Sequence, residues 1–174
     1  APLVEKFVLD VLDAWREMQS NQEPQAAVRK ASFRVEAEGE GQPEPSTTTR
    51  EKEARAFVEH YFKVWSDQDM DGYDDCFMTD AVIQHIDSHD QLFTIARSRF
   101  VASQRDAHRR STARMVEVPE SIEIRFEQQL ARAVVYWKLT AGARVQKGYD
   151  HFTLKLDRGR WRIANLLFYS TSEE

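Results

Sequence analysis

Asp150 sits in the run Gly148-Tyr-Asp-His-Phe-Thr-Leu-Lys-Leu, between two other β-like runs, Ala133-Val-Val-Tyr-Trp-Lys-Leu and Arg160-Trp-Arg-Ile-Ala-Asn-Leu-Leu-Phe-Tyr. Counting in twos puts Asp150, Phe152, Leu154 and Leu156 on one face and Tyr149, His151, Thr153 and Lys155 on the other. A carboxyl group carried into a hydrocarbon face is either an expensive structural part or a group whose pKa has been moved to do a job. The pattern therefore predicts a pocket, without identifying the molecule that occupies it.

A rival constellation is His85-Ile-Asp-Ser-His89, which places two imidazoles and a carboxylate on one side of an extended strand, a geometry open to a metal ion. No Glu or Cys completes the set in sequence, and a strand-ending Asp-Ser-His-Asp has the composition of a polar loop. His60 and His108 join it only if the fold brings them there, and His151 falls on the face opposite Asp150. The expectation is no metal and no other cofactor. The chain also lacks a glycine-rich phosphate loop, a nucleophile elbow and a Cys-x-x-Cys pair, and with 6 glycines in 174 residues it has no dinucleotide fingerprint.

Composition narrows the partners. With 41% apolar and 11% aromatic residues, the chain can bury the core of one domain and carry an appendage. A net charge of -5 leaves no basic surplus to neutralise a phosphate backbone, so no nucleic-acid partner is expected. Arg105, Arg109, Arg110 and Arg114 read as a solvated helix face, and Tyr136, Trp137 and Tyr149, lacking a basic setting, read as pocket wall and dimer contact. No apolar run reaches membrane-spanning length and no secretory h-region is visible, which predicts a soluble protein with no membrane partner. The start at Ala1 fits a removed leader or a trimmed N-terminus equally, leaving cytoplasmic and exported locations open. The lone Cys76 excludes an intramolecular disulfide and, beside Phe77, reads as a small core residue.

The elements that must position Asp150 follow from periodicity. Leu3, Val4, Phe7, Val8, Val11, Leu12, Trp15 and Met18 recur at three and four, the signature of an amphipathic helix. Residues 21–30 are ambiguous, and residues 36–49, rich in Gly, Pro, Glu, Ser and Thr, compose a linker, so residues 1–49 precede a main domain of residues 50–174. Ala54, Phe57, Val58, Tyr61, Phe62 and Trp65 predict a second amphipathic helix, and Asp69 N-caps a short third one reaching Phe77. Ala81 to Asp87 alternates like a strand, and Phe93 to Ala107 returns to helical spacing through Ile95, Phe100 and Val101, with Thr94 or a nearby polar residue at its start. After Thr112 everything is strand-like, with Ile122, Ile124 and Phe126 alternating and turns at Gly142 and Asp157 to Gly159. Helices first and long antiparallel strands afterwards is an α+β order.

The final strand is apolar on both faces, with Ala164, Leu166 and Phe168 on one and Trp161, Ile163, Leu167 and Tyr169 on the other. Such a sheet needs two covers. The main-domain helices supply one; a second subunit, the N-terminal helix or both supply the other, and a homodimer is expected.

These features together resemble the nuclear transport factor 2-like (NTF2-like, SnoaL-like) superfamily over roughly Arg50 to Ser172. The carriers are Val64-Trp-Ser-Asp-Gln-Asp-Met-Asp-Gly-Tyr at a helix end, the Phe77-Met-Thr-Asp-Ala-Val step into a strand, the Asp150-His-Phe strand and Gly159-Arg-Trp-Arg-Ile. The resemblance implies a cone-shaped α+β domain, a curved and mostly antiparallel sheet wrapped around helices, here with an extra N-terminal helix.

Within that superfamily the ketosteroid isomerases, a worked case of pKa tuning, are the nearest template. The resemblance places Tyr61 where their phenolic oxyanion donor sits, Asp150 where their neutral acid sits, His85 where their carboxylate base sits, and Trp137 and Phe168 at aromatic wall positions; Trp65, Phe100 and Phe152 are expected to contact the ligand as well. An imidazole in place of the carboxylate departs from the pattern, so steroid isomerisation does not carry over. In physical terms, Tyr61 and a protonated Asp150 in one apolar cavity give two donors to a developing oxyanion, and His85 acts as acid or base. The function expected is binding of a small, largely apolar molecule, with cofactor-free acid–base chemistry of the isomerase, dehydratase or hydrolase type. The alternative is a non-catalytic scaffold or interaction module in which the same polar groups only satisfy one another.

Overall fold

The computed structural model describes residues 47–171. The amphipathic helix expected over Leu3 to Met18, the stretch 21–30 and the linker up to residue 46 lie outside the described residues. Residues 47–49, assigned by composition to the linker, belong instead to the first described helix.

That helix, α1 (Thr47–Ser66), buries Ala54, Val58, Tyr61, Phe62 and Trp65 along one stripe. It stops where Gln68 turns to φ 63°, the left-handed conformation that ends many helices. Asp69 then caps α2 (Met70–Asp75), its carboxylate accepting from the N–H of Gly72 at 2.9 Å, as its position in the sequence predicted. Among the described residues no helix is long and apolar enough to cross a membrane.

The hairpin of β1 (Phe77–Ile86) and β2 (Leu92–Ala96) comes next, followed by α3 (Arg97–Arg110). Here the structure corrects the expected helix start, because Phe93 to Ala96 are strand. Thr94 pairs with Gln84 and Ile95 with Ile83, and burying the β-branched Ile95 against β1 outweighs the helical spacing it shares with Phe100. The helix begins after Ala96 without a side-chain cap, and a two-pronged Arg97–Asp74 pair (2.7 and 2.6 Å) ties its first residue to α2.

Four long strands complete the chain: β3 (Met115–Glu127), β4 (Leu130–Ala141), β5 (Arg144–Asp157) and β6 (Arg160–Ser170). The sheet order is β2-β1-β6-β5-β4-β3, antiparallel throughout except for the β1/β6 pair. The sheet is curved and wraps the helices, an α+β architecture. Tyr61 and Phe62 of α1 meet Phe152 of β5 edge-on at 5.2 and 6.5 Å, and Phe100 of α3 meets Phe77 of β1 at 6.0 Å.

Two bulges set which side chains face the helices. In β3 the register shifts between Pro119, which has no N–H for the ladder, and Ser121. Residues 115, 117 and 119 therefore share the inner face with 122, 124 and 126, although their numbers differ in parity. In β6 the register moves at Ala164, between the pairs Thr153–Asn165 and Leu154–Ile163. This corrects the strict alternation expected there: Trp161 and Ile163 lie on the inner face with Leu166 and Phe168, and all but the half-buried Phe168 are buried. Leu156, one residue before the end of β5, is 41% exposed instead of lying in the core.

Candidate functional site

Asp150 occupies the middle of the sheet. Its register partners are Val135 on β4 and Phe168 on β6, and it is 5% exposed. Burial penalises the ionised carboxylate and pushes the pKa up to about 8, against which the indole N–H of Trp137 acts in the opposite direction. The acid is thus predominantly neutral at pH 7 and available as a hydrogen-bond donor. Trp137 faces it from β4, itself buried, and its Nε1 has no hydrogen-bond partner of full geometry. Gly148, the cross-strand partner of Trp137, makes room for that indole: a Cβ at 148 would collide with Cζ2 of the ring and with the carbonyl oxygen of Tyr169.

Tyr61 reaches this region from α1. Its hydroxyl shares a 2.8 Å hydrogen bond with that of Tyr73 on α2, so whichever oxygen accepts keeps its own proton to donate elsewhere. Burial is the main reason both phenols are held well above their ordinary pKa, and the nearby Asp150 and Glu117 add to the effect. Glu117 itself, on the inner face of β3, is a half-buried residue whose carboxyl group is raised well above the usual range by burial and then by Asp150. Ser66, the last residue of α1, fixes its backbone, accepting from the Glu117 N–H and donating to the Glu117 carbonyl at 2.9 Å each. Two acids, two phenols and an indole therefore lie within electrostatic reach of one another.

Glu117 and Tyr73 were not among the expected site residues. Met115-Val-Glu-Val, alternating into the core at Met115, already places Glu117 on the inner face. Tyr73 carries no comparable signal, because a six-residue helix shows too little periodicity.

His85 stands apart. It pairs with Phe168 across β1/β6, and Phe168 pairs in turn with Asp150 across β5/β6, so the three form one row with the phenyl ring in the middle. Two strand spacings separate His85 from Asp150, about 10 Å. The imidazole stacks on Phe168 at 4.7 Å, and its buried Nδ1 has no partner. Burial lowers its pKa to about 4, countered only by Asp87. Asp150 acts electrostatically on the Tyr61 phenol, while His85 lies on the same row as Asp150 with Phe168 between them.

Among the expected wall residues, Trp137, Phe152 and Phe168 border Asp150, and Phe100 packs on Phe168 at 5.5 Å. Trp65 is engaged elsewhere, donating from Nε1 to Gln104 at 3.0 Å and stacking on His108 at 4.3 Å. Asp87 of the His85 to His89 segment accepts from the backbone N–H of His89 and Gln91, which closes a polar loop. Among the described residues, no cluster of three or more His, Cys, Asp or Glu could hold a metal ion. Cys76 is buried and its thiol donates to the Gly72 carbonyl. A separate cavity of about 330 Å³ opens between α1 and the start of β6, lined by Phe57, His60, Arg160, Trp161 and Arg162 among others, none of which belongs to the Tyr61–Asp150 group.

The chain matches the protein family described as "Putative lumazine-binding" over residues 49–169. No curated protein matches it. Among solved structures, an NTF2-like protein of unknown function from Pseudomonas putida is 18% identical with a TM-score of 0.61, covering 73% of this chain and 90% of its own. A protein of unknown function from Mycobacterium tuberculosis is also 18% identical, with a TM-score of 0.60 and coverage of 72% and 74%. A Streptomyces avermitilis protein described as a "putative dehydratase from the NTF2-like family" is 8% identical with a TM-score of 0.62, covering 74% of this chain and 100% of its own. At such identities the likeness is one of fold. The chain belongs to the family described as "Putative lumazine-binding", and its fold is that of the NTF2-like superfamily.

Proposed function

We propose that the inner face of the sheet binds a small, flat, largely apolar molecule through a carbonyl oxygen, with Asp150 as a neutral donor. The observation that carries this is Asp150 itself, a carboxyl group 5% exposed with a pKa near 8, beside an indole N–H that has no full partner. Buried polar groups without partners are costly, and a ligand supplying the partners removes that cost. The family description suggests lumazine, a bicyclic ring with two carbonyl groups, as the first probe.

On the ketosteroid isomerase template, Tyr61 joins Asp150 as a donor to a developing oxyanion, here through the Tyr61–Tyr73 pair. His85, with a pKa near 4, holds no proton to give at neutral pH and is a weak base. We therefore assign it to the wall with Phe168, and the donor side carries any catalysis.

Fluorescence titration of lumazine into the wild type, D150N and D150L tests the binding. Asn keeps a donor and an acceptor, so D150N should bind like the wild type. D150L should lose roughly tenfold, the worth of one buried hydrogen bond of about 1.4 kcal/mol. Undiminished binding by a folded D150L overturns the assignment.

A second reading, a non-catalytic interaction module, is favoured by one observation. The ring of Tyr61 is surrounded by Phe62, Tyr73, Phe77 and Phe152 at 4.9 to 6.0 Å, as in a filled core. Under either reading we propose a homodimer through the outer face, where Tyr136, Tyr149, His151 and Tyr169 form a half-buried aromatic patch. Sedimentation of the wild type against Tyr149→Glu tests it, and a monomeric wild type sinks it.

A further inference from the structure

β3 closes one side of the sheet: among the described residues it pairs only with β4, and its other edge carries no strand. Which backbone groups face that edge follows from the hydrogen bonds that α1 makes to it. Ser66 meets both the N–H and the carbonyl of Glu117, and Arg55 donates to the Ile122 carbonyl at 3.2 Å, so both residues turn their backbone away from β4. In an antiparallel ladder this direction alternates from one residue to the next. The register is unbroken from Ser121 to Glu127, so Ile124 and Phe126 turn outward with Ile122, while Glu123 and Arg125 spend their backbone groups on β4. Ser66 and Pro119 protect the first half of the edge, and Arg50 reaches the turn beyond it, donating to the Gln128 carbonyl at 3.1 Å. Between them, the N–H and carbonyl groups of Ile124 and Phe126 have no partner on the outer side among the described residues. An open length of edge is a template for another strand.

We infer that Ile122 to Phe126 pairs with the same segment of a second copy of this chain, antiparallel about a two-fold axis at Ile124. The run Ile122-Glu-Ile-Arg-Phe is complementary to itself in that register. Ile124 exchanges N–H and carbonyl bonds with its own counterpart, and Ile122 meets Phe126 on the inner face. Glu123 meets Arg125 on the outer face, twice by symmetry, in the non-hydrogen-bonded pairs where cross-strand side chains come closest. Both side chains are exposed, and neither forms an ion pair with another described residue. Moving the axis by one residue opposes Glu123 to Glu123 or Arg125 to Arg125, so charge selects Ile124 as the centre. This edge is separate from the aromatic patch on the outer face, and a chain using both surfaces forms tetramers.

Sedimentation of the full chain carrying Tyr149→Glu, which disables the outer face, reads this contact alone, and a reversible dimer is expected. Adding E123R or R125E sets like charges opposite one another and should weaken that dimer by roughly tenfold or more. The double reversal E123R/R125E should restore it, and so should an equimolar mixture of the two single reversals, because each supplies the charge the other lacks. Amide exchange on the wild type gives a readout independent of the Tyr149 variant. The N–H groups of Ile122, Ile124 and Phe126 should gain protection with protein concentration, whereas those of Glu123 and Arg125, already bonded to β4, should not change. A Tyr149→Glu chain that stays monomeric up to roughly 1 mM, with no concentration-dependent protection in the wild type, overturns the inference and leaves the outer-face proposal to its own test. A dimer indifferent to the single reversals, or not restored by the double one, overturns it as well. Protection of Ile124 and Phe126 that is equal at every concentration means that the edge is filled within one chain, and this too overturns it.

Discussion

Trp137 occupies the space that a side chain at position 148 would need, which is why its cross-strand partner is glycine. The nearest atoms to an added Cβ are a backbone carbonyl and the rigid indole, neither of which yields cheaply. Gly148→Ala should therefore cost about 1–3 kcal/mol, the range for overpacking a well-filled site. Urea unfolding followed by tryptophan fluorescence measures it, and a variant as stable as the wild type contradicts the packing described.

Asp150 should make the protein less stable as pH rises. Its folded pKa of about 8 lies above the ordinary carboxyl value near 4, so the folded state holds a proton that the unfolded chain releases. Relative to acid conditions, stability falls progressively from about pH 4 and levels off above about pH 8. Asp150→Asn removes the titration. It should gain on the wild type across that window, by up to roughly 5 kcal/mol at pH 8, and the gap should close toward pH 4. Parallel pH profiles for the two proteins would refute it.

His85 acts in the opposite direction. Its folded pKa, near 4, lies below the ordinary histidine value of 6.5, so its contribution is fully present above pH 6.5 and is lost as pH falls through 4. His85→Phe, which keeps a ring on Phe168, should flatten the acid limb by up to about 3 kcal/mol. Unfolding midpoints of both proteins between pH 7 and pH 4 decide this.

Cys76 should be inert in the folded protein. Burial pushes its thiol up to about 12, and the reactive thiolate is scarce at neutral pH. Alkylation by iodoacetamide should then proceed only through opening of the structure and accelerate in denaturant in step with unfolding. Rapid labelling of the native protein is the opposite result.

The architecture was legible because periodicity reports which face is buried. The stripe from Ala54 to Trp65, the cap at Asp69 and the alternation around Asp150 each depend on neighbours in sequence. What escaped depends on partners far away along the chain. Phe93 to Ala96 carries a helical spacing that pairing with β1 overrides, and the bulge at Ala164 turns Trp161 and Ile163 inward against the count in twos. Within the site, Asp150 was recognisable as an acid among apolar residues. Glu117 was not singled out, although alternation from Met115 places it on the inner face, because a glutamate in a strand rich in charged residues carries no mark that separates it from Glu120 or Glu123. The separation of His85 from the other two follows from β6 lying between β1 and β5, which no local pattern encodes.

That same strand order has a consequence for biosynthesis. The β1/β2 hairpin leaves the ribosome early, yet the neighbour that covers the long edge of β1 is β6, translated after every other strand of the sheet. Until then Ile83 and the bare edge beside it are available to chaperones or to other nascent chains. Joining the first and last described strands in parallel is a long-range closure, so it should govern the rate of maturation.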